Sequence, residues 1–225
     1  MTDPRVASLQ QAVPDQRLKT DAADLEHYGR DWTRRWTPAP LAIALPATVE
    51  EVQAIVRLAN EHKTPLWPVA RGKNLGYGTA APRMAGSVVL DLGRMNKILE
   101  LDPTLAYCVV EPGVGYFDLY EAIQRDKLPL WLSVPGNAWG SVMGNTLEHG
   151  IGYTPYGLHA RNLCGIEAVL ETARAEVLAA GFREIEYLEL RDAASLAPVT
   201  DLAKPMRMLA AAWLGDVRLI DNIDV

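Results

Sequence analysis

Two segments dense in glycine, RGKNLGYG at 71–78 and SVPGNAWGSVMGNTLEHGIGYTPYG at 133–157, constrain this chain more than any other feature of its sequence. Ordered glycine costs chain entropy, so such density persists only where the backbone turns sharply or comes close to something else. Around them the pattern alternates strand and helix signals. LAIAL (41–45) reads as a strand, and TVEEVQAIVRLANEHK (48–63) reads as a helix capped by Thr48, with Glu50 and Glu51 in its first turn and Val52, Ile55, Val56 and Ala59 on one face. TPLWPVA and GSVVLDLGRM then read as strands on either side of the first glycine segment. KILELDPTLAYCVV reads as a hairpin about Asp102 and Pro103, and GYFDLYEAI as a helix running into a strand at LPLWLSV. This order predicts an α+β domain with a mixed sheet, both glycine segments facing one cleft.

The composition narrows the function classes. A net charge of −6 with no basic stripe argues against a nucleic-acid or anionic-membrane surface. No apolar run reaches membrane-spanning length, and the first residues have no apolar leader, so a cytoplasmic location is expected. Cys108 and Cys164 are too few for a disulfide framework and are expected as buried thiols. His27, His62, His149 and His159 have no ligand spacing, so no metal is expected; no G-x-S-x-G occurs, and the six tryptophans read as core and interface anchors.

In the first segment Gly72, Gly76 and Gly78 match neither the dinucleotide G-x-G-x-x-G nor the phosphate loop with its Lys after the last glycine. Two readings remain: a plain tight turn, or a nest of backbone N–H groups flanked by Arg71 and Lys73 that takes an anion.

PLWPVARGKNLGYGTAAPRMAGSVVLDLGRMNKI, YCVVEPGVGYFDLYEAI and GSVMGNTLEHGIGYTPYG together resemble the flavin-binding domain of the vanillyl-alcohol oxidase and para-cresol methylhydroxylase family, over about residues 40–170. The resemblance implies FAD. It implies that Arg71, Gly72, Lys73, Asn74, Leu75 and Gly76 wrap the FAD pyrophosphate, and that Pro135, Gly140, Ser141, Gly144, Asn145, Gly150 and Tyr153 cover the flavin and adenosine. Tyr77 inherits the substrate-phenolate contact, and Gly136 stands where some members carry an acidic residue near the flavin. The chemistry implied is hydride removal from a carbon para to a phenol, with a small phenolic molecule as substrate.

After CGIEAVL the resemblance changes. From about Glu171 to Val225 the chain is similar to the C-terminal end of pantothenate synthetase, with a helix expected at ETARAEVLAAG, a strand at IEYLEL, a helix at PMRMLAAAWLG and a closing strand at DVRLIDNI. The organisation expected is an irregular segment at 1–40, an incomplete flavin-binding domain at 41–170, and a small α/β piece at 171–225. EHGIG lacks the spacing of that enzyme's His-x-Gly-His signature, so ligation of pantoate is not expected. A junction of two unrelated enzymes implies an FAD-binding fragment, inactive on phenols by itself. The alternatives are a non-catalytic fused module, or a chain labelled pantoate-beta-alanine ligase by its tail.

Overall fold

The computed structural model describes residues 3–30, 39–73, 80–136, 138–166, 183–197, 206–214 and 217–224. The chain forms two compact units, residues 1–157 and 158–225.

The first unit is built on a four-stranded sheet in the order β1-β2-β4-β3, with β1 at Leu18–Lys19, β2 at Ala42–Ala44, β3 at Leu66–Val69 and β4 at Val88–Asp91. β1 runs antiparallel to β2, while β2, β4 and β3 are parallel, giving the mixed sheet expected. Ala42, Ile43, Ala44, Val88, Val89 and Leu90 are buried, as strands covered on both faces must be. Helix α3 (Val49–Glu61) makes the crossover from β2 to β3. Thr48 accepts the Glu51 N–H, and Val52, Ile55 and Ala59 are buried on one face.

Residues 3–30 are more regular than their composition suggests. Helix α1 (Pro4–Leu9) is capped by Asp3 and helix α2 (Ala22–Gly29) by Asp21. Val6, Leu9 and Val13 are buried, and Ser8 Oγ lies 2.8 Å from His62 Nε2 at the end of α3. The irregular segment expected here is therefore part of the unit; its apolar positions are too few and too widely spaced to show a period.

Strands β5 (Ile98–Asp102) and β6 (Tyr107–Val110) form the expected hairpin, its turn held by Asp102 Oδ1 accepting from Thr104 N and Leu105 N. Helix α4 (Tyr116–Arg125) comes next, with Tyr116, Leu119, Ala122 and Ile123 buried. The strand expected at LPLWLSV is absent: residues 128–134 pair with no described strand, and Pro129 removes one ladder donor. Within the second glycine segment lies a short helix, α5 (Val142–Leu147), capped by Ser141.

In the second unit β7 (Glu184–Asp192), β8 (Met206–Leu214) and β9 (Val217–Asp224) form an antiparallel sheet with β8 central. β7 and β9 fall where strands were expected. β8 was expected as a helix, since Ala, Leu and Met are good helix formers. Those preferences amount to only about 0 to 0.7 kcal/mol per residue, and a strand paired on both sides overrides them. The helix expected at 171–181 lies outside the described residues. The cysteines also depart from expectation: Cys108 is half-buried and Cys164 exposed.

Candidate functional site

Parallel strands bring their carboxyl ends to one edge, and that edge gathers the chemistry here. β3 ends into Ala70, Arg71, Gly72 and Lys73. Gly72 has φ +61°, a left-handed conformation that L side chains rarely adopt, so the chain turns there as an N–H nest requires. β4 ends into Leu92 and Gly93, and the next turn is tied to it through Gly113 N–H donating to Met95 O at 2.7 Å. That turn leads into α4, whose first residues meet the second glycine segment: Gly115 pairs with Ser141, and Val142 N donates to Val114 O at 2.9 Å.

The two glycine segments therefore converge. A pocket of about 270 Å³ is lined by Arg71 and Lys73 from the first, Ala138 and Trp139 from the second, and Gly115 and Phe117 from the start of α4. A Cβ on Gly144 would contact Ala70 Cβ at 3.5 Å, which places the base of the second segment directly against the exit of β3. Two cations and two aromatic side chains in one lining suit a ligand that joins phosphate to planar rings. The volume, just below the usual range of about 300 to 1,000 Å³ for small-molecule pockets, has room for only part of a dinucleotide-sized ligand.

Most of the residues named from the sequence fall among the described ones. Arg71 Nη1 is held 2.5 Å from Asp118 Oδ2 and also donates to Gly113 O at 3.4 Å. Ser141 is buried, and its hydroxyl is used internally, accepting Gly144 N–H at 2.8 Å to cap α5. Asn145 Oδ1 accepts from the buried Tyr116 hydroxyl at 3.0 Å. Burial pushes the Tyr116 phenol well above its ordinary pKa, so it stays protonated and donates. Pro135 is half-buried, Tyr153 is 87 % exposed with its ring beside Gly136, and a Cβ on Gly140 would meet open space. Asn74, Leu75, Gly76 and Tyr77 lie outside the described residues.

Asp118, Phe117 and Trp139 were not singled out from the sequence. Asp118 is 47 positions from Arg71, a separation that no local pattern reveals. Trp139, read with the other tryptophans as a core or interface anchor rather than a ring beside a ligand, is 62 % exposed at the pocket, and Trp131 is 64 % exposed in an apolar groove of about 390 Å³ beside α4 that Phe117 and Tyr120 also line. The signal for Trp139 was available in NAWGS, where a large aromatic sits among turn-forming residues that supply no core around it. Among the described residues no cluster of three or more His, Cys, Asp or Glu could hold a metal, and no helix is long and apolar enough to cross a membrane.

Residues 40–179 match a family model described as FAD binding domain, and residues 151–224 match one described as pantoate-beta-alanine ligase. The flavoprotein subunit of 4-cresol dehydrogenase (hydroxylating) from Pseudomonas putida is 48 % identical over 133 residues, 59 % of this chain and 26 % of that protein. D-2-hydroxyglutarate dehydrogenase from Xanthomonas citri pv. viticola is 43 % identical over 180 residues, 79 % of this chain and 37 % of that protein. Pantothenate synthetase from Chelativorans sp. is 55 % identical over 60 residues, 27 % of this chain and 21 % of that protein. The crystal structure of p-cresol methylhydroxylase with substrate bound superposes with a TM-score of 0.67 at 40 % identity, covering 69 % of this chain and 31 % of the other. The chain thus spans between a fifth and two fifths of the length of these curated relatives. FAD is the cofactor to which the flavoprotein matches point, and the cations, the left-handed turn and the aromatic walls fit it.

Proposed function

Because residues 40–179 make this chain a member of the FAD-binding domain family, we propose that it is the cofactor-binding part of a flavin-dependent oxidoreductase acting on para-substituted phenols. The observation that carries the proposal is the convergence of Arg71, Lys73 and Trp139 on one pocket beside the left-handed turn at Gly72 that follows β3. The likeness to 4-cresol dehydrogenase, at 48 % identity, supports the substrate class.

When bound, FAD supplies a two-electron acceptor for a hydride. The chain's own residues bind and orient it. The turn at Gly72 presents backbone N–H groups to the diphosphate, Lys73 adds a mobile positive charge, and Phe117 and Trp139 wall the cleft against water. Tyr77 is assigned the phenolate contact on resemblance. Gly136 carries no acid, so any base comes from another position. The binding partner proposed is a small phenol; with a net charge of −6, neither nucleic acid nor a membrane is proposed.

The 225-residue polypeptide by itself is proposed to hold FAD at micromolar strength or weaker, without phenol turnover at the rate of an intact oxidase. The match to the FAD binding domain ends at residue 179, and residues 151–224 match the pantoate-beta-alanine ligase family. A few backbone N–H bonds at about 0.5 to 3 kcal/mol each must offset about 4 to 15 kcal/mol of immobilisation and ordering.

Titration of the purified protein with FAD, followed by flavin fluorescence, tests the cofactor reading. Saturable micromolar binding is expected; a colourless protein with no response would favour a non-catalytic module. Reduction of bound flavin by para-cresol, by D-2-hydroxyglutarate or by neither separates the substrate classes. D-2-hydroxyglutarate is included because the match to its dehydrogenase covers more of this chain, 79 % against 59 %. Reduction by that acid alone would refute the phenol assignment.

A further inference from the structure

Arg71 and Lys73 line the same pocket, and charge alone would give both the same task, but their surroundings differ. Arg71 is committed. Its Nη1 lies 2.5 Å from Asp118 Oδ2 and donates to Gly113 O, and the same Oδ2 accepts the Gly115 N–H at 2.8 Å. A Cβ on Gly115 would collide with Arg71 Nη1, so the guanidinium passes across a position that only glycine leaves open. Lys73 forms no ion pair among the described residues.

We infer that Asp118 is a positioning residue for anion binding: through Arg71 it clamps the glycine turn after β3 to the first turn of α4, and it leaves Lys73 as the cation that meets the ligand's phosphate. The inference rests on the reading of this cleft as the FAD diphosphate site. Its physical basis is that a guanidinium already paired with a carboxylate presents little net charge to a second anion. A flexible ammonium on an unpaired lysine keeps its full charge and can follow the ligand. Both chain segments that Arg71 ties together emerge at the rim of the pocket, so holding them fixes where the backbone N–H groups of the turn point.

The two possible roles of Arg71 make opposite predictions for Asp118→Asn. Asparagine still accepts the Gly115 N–H and keeps α4 capped, but it removes the negative charge. If Arg71 contacts phosphate directly, this substitution frees its charge and tightens binding. If Arg71 is a clamp, binding weakens. The full chain and the variants Asp118→Asn, Asp118→Glu, Arg71→Met, Arg71→Met with Asp118→Asn, and Lys73→Met are titrated with FAD at low and high salt. We expect Asp118→Asn to weaken binding about tenfold, Asp118→Glu to recover most of it, and the double variant to bind no worse than Arg71→Met. Lys73→Met should weaken binding and flatten its salt dependence, whereas Arg71→Met weakens binding and keeps the wild-type salt dependence. Unchanged or tighter binding by Asp118→Asn, or additive losses in the double variant, would overturn the inference.

Failure of the wild type to bind FAD would refute the flavin reading instead. Hydrogen exchange at residues 70–73 in unliganded Asp118→Asn then still decides on the clamp: faster exchange than wild type supports it, and unchanged exchange overturns it.

Discussion

The hydroxyl of Tyr116, at the start of α4, donates to Oδ1 of Asn145 in α5 at 3.0 Å, and so locks a residue assigned to the cofactor site onto a buried anchor. The arrangement is tight: a Cβ on Gly150 would collide with the Asn145 carboxamide, and Gly150 N–H donates to Asn145 O at 2.7 Å. Tyr116→Phe keeps the packing and deletes the bond. It should cost about 1 kcal/mol of stability and leave Asn145 less well held. Gly150→Ala forces the Asn145 side chain away and should weaken FAD binding more than Tyr116→Phe does. Isothermal titration of the three proteins checks the order; equal affinities would show that Asn145 takes no part in binding.

A second prediction concerns acid stability. Arg17 reaches Glu51 through both guanidinium nitrogens, Ala47 N–H donates to Glu51 Oε2 at 2.7 Å, and both side chains are largely shielded from water. The hydrogen bonds from Arg17, seconded by Ala47, hold the Glu51 carboxyl below its ordinary value of 4.5. A lowered folded-state pKa means stability that is present above the unfolded value and lost as pH falls through the folded one. Glu51→Gln should therefore destabilise the first unit by about 1 to 3 kcal/mol at neutral pH, and the difference should shrink below about pH 4.5. Urea unfolding at neutral pH and at pH 3.5 would show it, and a difference that grows on acidification would contradict the assignment.

How much of the structure is legible in the sequence depends on how local its signals are. α3 announces itself through Thr48, Glu51 and the spacing of Val52, Ile55 and Ala59, and the β5–β6 hairpin through Asp102 at its turn, because those interactions span only a few residues. The cleft is legible as two loops but not as a clamp, since the bond between Arg71 and Asp118 depends on where α4 comes to rest. β8 is obscured for the converse reason. Its alanines carry a weak helical preference, and the deciding contacts come from Ile185 to Asp192 on one side and Val217 to Asp224 on the other. LPLWLSV looks like a strand because apolar runs do, yet a strand needs a partner, and these residues pair with none of the described strands.

The aromatic wall gives a third prediction. Trp139 is exposed on a pocket that also holds two cations, so its contribution to binding comes from ring contact rather than from the core. Ring stacking beyond area burial is worth about 0.5 to 1.5 kcal/mol, so Trp139→Ala should weaken FAD binding about two- to twelvefold, while Trp139→Phe recovers part of the loss. Thermal stability should change little. Loss of stability with unchanged affinity would return Trp139 to a packing role.

The last prediction separates the two units. Ala211 is buried in β8, opposite Tyr187 of β7 and Ile220 of β9, so its backbone sits inside a ladder paired on both sides. Proline there removes an N–H donor and fixes φ near the helical value, and mid-sheet prolines are found essentially only at edges and bulges. Ala211→Pro should therefore break the 184–224 sheet. If the three strands of that sheet served the flavin site, the substitution would also abolish FAD binding. Every described pocket residue, however, belongs to residues 1–157, and that unit has its own core in Ile43, Ile55, Val88, Val89 and Ile123. The expected outcome is faster amide exchange throughout 184–192 and 206–224, unchanged exchange at 42–44 and 88–91, and an FAD affinity within about twofold of wild type. A helix at 206–214 would instead be kinked locally, leaving 217–224 protected, so the exchange pattern also tests the strand assignment that the alanine-rich sequence obscures.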